Sequence, residues 1–93
     1  MRYIVVITMV EEGQGIVDQQ VSTYSMNARD RLIGWLDKIA QATHMEYSEY
    51  KRKKQNIINT IGWGIPDGER VEFKIGSEYG TIMLYYQEFK IGE

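Results

Sequence analysis

Two stretches of this chain are apolar at nearly every position, and both have strand character. In an extended strand, successive side chains point to opposite faces. Over residues 3–10 (YIVVITMV), Tyr3, Val5, Ile7 and Met9 fall on one side, opposed by Ile4, Val6 and Val10. Over residues 81–91 (TIMLYYQEFKI), Ile82, Leu84 and Tyr86 oppose Met83, Tyr85, Phe89 and Ile91. A small antiparallel sheet usually has one dry face and one wet one. Two strands that are apolar on both faces need a second cover, from this chain or from another molecule.

Between these runs the pattern changes period. Glu11-Glu12-Gly13-Gln14-Gly15 interrupts the first run with two glycines and two acids, which predicts a hairpin connection. A second, more polar strand is expected over residues 16–24. Val17 and Val21 give its better face, and Asp18, Gln20 and Ser22 look solvated, as on an edge strand. Asn27 is a plausible N-cap, with Asp30 at the capping-box position. The helix after it carries Leu32, Trp35, Leu36, Ile39 and Ala40 at helical spacing. Thr43 and Glu46 repeat the capping-box pattern, so a break is expected near residues 42–44. A second helix then runs to about Ile61, with Tyr47, Tyr50, Ile57, Ile58 and Ile61 as its stripe and Gly62 as its stop. Pro66-Asp67-Gly68 reads as a tight turn. A third strand follows over residues 70–75, with Val71, Phe73 and Ile75 inward and Glu72 and Lys74 outward. Residues 76–80 turn the chain into the last strand.

The element order is therefore ββααββ. A helical hairpin returns the chain to the end it left, so all four strands can run antiparallel. The doubly apolar first and last strands belong in the middle and the half-polar ones at the edges, in spatial order 2-1-4-3. The expectation is a single α+β domain over residues 1–93, a four-stranded antiparallel sheet packed with two helices. The helices could cover one face and leave the other to a partner, or take one face each.

Composition narrows the field. Ninety-three residues, 43% hydrophobic and 26% charged, describe one ordinary globular domain with a single core. With 11 basic and 13 acidic residues the net charge is -2, which excludes a globally basic nucleic-acid binder. Absence of cysteine excludes disulfides, thiolate metal sites and a cysteine nucleophile. Met1-Arg2 leads straight into a β-branched run too short to span a bilayer, so a cytoplasmic protein is expected. Seven tyrosines enrich the chain in a residue that interfaces favour.

Candidate chemistry is sparse. Lys51, Arg52, Lys53 and Lys54, preceded by Tyr47 and Tyr50, could bind nucleic acid, cations on phosphates and rings on bases. Consecutive helical residues lie about 100° apart, however, so these charges spread around the helix, and a solvated face is the commoner outcome. Glu11 and Glu12 lack metal-ligand spacing and suit contact with a basic partner surface better. The single histidine, His44, falls at a helix junction, where capping is commoner than catalysis. Neither Gly-Gln-Gly nor Gly-Trp-Gly sits between a strand and a helix, so no nucleotide fingerprint is present. Trp63, between two glycines on a loop expected to be mobile, is either an interface anchor or a plug for the core. Tyr79, at the opposite hairpin tip, is a second candidate of that kind.

These features favour a non-catalytic protein-binding module, with no enzyme activity, cofactor or metal expected. Partner-binding candidates are Trp63, Tyr79, Tyr85, Glu11 and Glu12. The partner is another protein, such as a host factor, or a second copy forming a homodimer. Small, cysteine-free, tyrosine-rich domains without an active site are common among phage and mobile-element inhibitors of host factors, anti-CRISPR proteins included. That analogy is one of size and composition, and no motif carries it. The alternative is a small nucleic-acid-binding protein using the basic second helix.

Overall fold

A computed structural model describes residues 2–77 and 80–91. Six elements follow one another: β1 (Arg2–Glu11), β2 (Gly15–Ser22), α1 (Ser25–Thr43), α2 (Tyr47–Gly62), β3 (Arg70–Ser77) and β4 (Gly80–Ile91). The strands form one antiparallel sheet in order β2-β1-β4-β3, with the two doubly apolar strands in the middle as their pattern requires. The β1–β2 turn needs left-handed backbone at Gly13 (φ 85°) and Gly15 (φ 81°), which glycine adopts without a steric penalty.

Both helices lie on the same face of the sheet. Val5 and Ile7 of β1, Leu84 and Tyr86 of β4, and Phe73 and Ile75 of β3 form one cluster with Ala28, Leu32, Trp35, Leu36 and Ile39 of α1 and Ile57 and Ile61 of α2. Every strand residue in that cluster belongs to one parity set. The Cα envelope, 46 × 27 × 17 Å, is accordingly two layers thin. Tyr86 is fully buried there, and its hydroxyl donates to Glu88 Oε2 at 2.7 Å. Burial first, and that bond second, push its ionisation well above the usual tyrosine range.

Several local expectations are corrected. Helix α1 starts at Ser25 with Tyr24 as its N-cap, so Asn27 lies inside the first turn. The Ser22 hydroxyl sets that start: it accepts from Tyr24 N–H at 3.2 Å and donates to Tyr24 C=O at 3.1 Å, bending the chain out of β2. Thr43 is the last residue of α1 rather than a cap for α2, because its hydroxyl donates back to Ile39 C=O at 2.7 Å. His44 then takes the left-handed conformation (φ 54°) and Met45 N–H reaches Ala40 C=O, a Schellman-type ending with histidine where glycine is usual. Tyr47, placed in the α2 stripe by spacing, is exposed instead. The Pro66-Asp67-Gly68 turn forms as expected, closed by Glu69 N–H on Pro66 C=O with Gly68 at φ 77°.

Candidate functional site

The second face of the sheet carries no helix. Its side chains form cross-strand rows fixed by the register. One row runs Val21, Val6, Gln87, Arg70 from β2 to β3; the next runs Gln19, Thr8, Tyr85, Glu72; the third runs Ile16, Val10, Met83, Lys74. Ile4 and Phe89 pair beyond the first row. The face is thus apolar over β2, β1 and β4, with a polar middle row, and charged along β3.

Inside the polar row, Gln19 donates its side-chain amide to Thr8 Oγ1 at 3.0 Å. The Arg70 guanidinium lies over the Tyr85 ring, 4.4 Å from its centroid, and 3.7 Å from the Glu72 carboxylate. That ring face is therefore held flat under a cation. The hollow between these groups encloses about 200 Å³. It is smaller than the roughly 300–1,000 Å³ usual for small-molecule sites, while a wider hollow of about 530 Å³, open to solvent, lies on the same face between Val10, Glu72, Lys74 and Met83.

Strand β2 departs from its expected orientation. Its apolar residues Val21 and Ile16 project onto the open face, 61% and 63% exposed, while Gln20 and Ser22 face the helix layer. The pairing with β1 skips Val17, a β-bulge that bends this edge. Exposed large apolar side chains concentrate at this edge and the adjoining strand ends: Tyr3, Ile16, Val17, Val21, Tyr24, Met26, Phe89 and Ile91.

The other candidates take different positions. Trp63 is 88% exposed, so it does not plug the core. Its loop is tied to β4 at the far end: Gly68 N–H donates to Glu88 C=O, Gln87 Nε2 to Gly68 C=O, and Lys90 N–H to Asp67 Oδ1. Tyr79 lies outside the described residues. Glu12 exchanges contacts with Thr81, its N–H donating to Thr81 C=O and its Oε2 accepting from Thr81 N–H at 3.2 Å, so it closes the far end of the open face. Glu11 sits in the ladder between Gly15 and Ile82.

On α2 the basic run is already engaged within the fold. Tyr47 and Tyr50 are stacked 6.4 Å apart, with Lys51 over the first ring and Lys54 over the second. Lys53 pairs with Glu49 at 3.8 Å, and Arg52 is exposed. The Tyr50 hydroxyl donates to Asp37, and that bond, with burial, raises its ionisation to about 12. A cleft beside the two rings, lined by Asp37, Gln41, His44, Met45, Tyr47 and Tyr50, is open to solvent, and the Tyr50–Asp37 pair satisfies itself.

Sequence reasoning named Tyr85 but passed over Arg70, whose place on that ring follows from the β3–β4 register. It also passed over Ile16, whose side is set by the bulge. Among the described residues no helix is long and apolar enough to cross a membrane, and no three acidic or histidine side chains converge as metal ligands. Compared with protein families, curated proteins and solved structures, the chain matches none.

Proposed function

We propose that this chain is a non-catalytic protein-binding module whose open sheet face is its recognition surface. One observation carries the reading: strands apolar on both sides have helices on only one. Burying apolar area on the second face is favourable by roughly 25 cal/mol per Å², and nothing within the described fold does so. The face also has groups that interfaces favour, with aliphatic side chains on either side of its polar middle row, a tyrosine under an arginine and a charged rim on β3. Its groups pair as ring with guanidinium and amide with hydroxyl, an arrangement suited to contact rather than to proton transfer. Blocking a host factor is the use that size and composition suggest.

A photo-crosslinking residue in place of Tyr85, compared with one in place of Gln55 on the outer side of α2, tests this reading. Crosslinking to a defined protein from position 85, lost when Val6→Lys is added, supports it. Equal products from both positions, unaffected by Val6→Lys, would refute it.

A further inference from the structure

We infer that two copies of this chain join antiparallel along β2, making one eight-stranded sheet about a two-fold axis through Gln19. The two sheet edges differ. On β3 the edge is guarded. Arg70, Glu72 and Lys74 alternate along it, and Lys53 reaches from α2 to place its ammonium 3.5 Å from Lys74 C=O, occupying an outward carbonyl. Charges and covered backbone groups are how edges avoid pairing. On β2 there is no lysine, arginine or proline, the only charge is Asp18, and the bulge at Val17 bends only the end next to the hairpin, leaving residues 18–22 in regular register with β1.

The β2 sequence is also complementary to itself. Val17-Asp18-Gln19-Gln20-Val21 is close to a palindrome about Gln19. Antiparallel pairing about that residue sets Asp18 against Gln20 of the second copy and Gln19 against its own equivalent, and brings Val21 next to the bulged Val17. Each carboxylate thereby meets an amide that can donate to it, twice over. A register centred on Asp18 would instead oppose the two carboxylates, and like charges directly opposite are unfavourable.

Backbone geometry agrees with this axis. Gln19 N–H donates to Asp18 Oδ1 at 2.8 Å. In an antiparallel strand, N–H groups of alternate residues point to alternate neighbours, so an N–H bonded to its own strand's side chain faces the free edge. A two-fold at Gln19 then lets the two copies exchange N–H···O=C bonds there, releasing the Asp18 carboxylate to Gln20 across the seam. Because the guarded β3 edges stay outermost, the assembly closes at two copies.

The consequence bears on the open face, and to that extent the inference rests on the reading above. Four strands about 4.8 Å apart and about 27 Å long present roughly 500 Å². Joining two faces side by side reaches roughly 1,000 Å², with Val21, Val17 and Ile16 of both copies at the centre.

Absolute mass by light scattering on the wild-type chain and three variants, over a range of concentrations, tests the seam. Wild type should approach twice 10.9 kDa. Gln20→Asp places a carboxylate opposite Asp18 at two symmetric points and should weaken the dimer about tenfold. Adding Asp18→Lys to Gln20→Asp should restore it, a recovery that a merely misfolded chain would not show. Met83→Lys, on the open face of β4 and two strands from the seam, should leave the mass unchanged. A wild-type monomer at every concentration overturns the inference and leaves the open-face reading to the crosslinking test. A dimer that Met83→Lys dissociates and Gln20→Asp does not also overturns the seam, while placing self-association on the open face.

Discussion

The two faces of this sheet are built from the same strands and read almost alike as sequence, yet they have opposite fates. Val5, Leu84 and Tyr86 have no accessible surface, closed over by α1 and α2. One residue along, Val6, Tyr85 and Gln87 are half-buried among their own neighbours, and Phe89 is 39% exposed. Hydrophobicity sets a demand for cover, and the placement of the helices decides which face receives it. The face left over is the recognition surface proposed above.

This contrast predicts a graded series of substitutions. Leu84→Ala removes a side chain from the closed face and should cost about 3 kcal/mol in urea unfolding, whereas Val6→Ala on the open face should cost under about 1 kcal/mol. Equal losses would mean that both faces are covered.

Tyr86→Phe comes next, at about 1 kcal/mol near neutral pH, from loss of the hydrogen bond to Glu88. It also has a pH signature. Unfolded tyrosine ionises near 10, and Tyr86 in the fold ionises higher, so the native state holds its proton longer. Stability is then complete below pH 10 and falls as pH rises beyond it, by up to about 1.4 kcal/mol per pH unit for each such group. Tyr50, raised to about 12, adds a loss of the same sign. Tyr86→Phe should therefore flatten the alkaline limb of a stability–pH curve without abolishing it.

Arg70→Ala should cost about 0.5 kcal/mol, the scale of an exposed cation–π contact, and its effect should shrink in a Tyr85→Leu background, where only the ion pair with Glu72 is left. Trp63→Ala should change stability by less than about 0.5 kcal/mol, because that ring makes no part of the core. A fall in Tm of several degrees for Trp63→Ala would contradict its exposed placement.

Strand order, antiparallel sense and the parity of β1, β3 and β4 were legible because each strand carries a run of alternating positions long enough to fix a face. Leu32, Trp35, Leu36 and Ile39 were equally legible from helical spacing. Less accessible were features set by single atoms or by distant neighbours. The start of α1 depends on one hydroxyl of Ser22, and a capping pattern at Asn27 looked as good. Whether Val21 faces helix or solvent depends on register with Val6 and on the bulge at Val17, which hydropathy alone does not encode. Two helices on one face and one on each give the same apolar stripes, so the open face itself could be read only once the layers were in place. Arg70 looked like an ordinary edge charge until Tyr85 was set beside it.

The most direct test of the open face is methyl NMR of the isolated chain with a soluble paramagnetic agent added. Resonances of Ile4, Val6, Val10 and Met83 should broaden strongly while those of Val5, Ile7, Ile75 and Leu84 stay sharp. Protein bound to the open face should then protect the first set. Equal protection of both sets in the isolated monomer would mean that something in the chain already covers the second face, and the recognition surface proposed here would not exist.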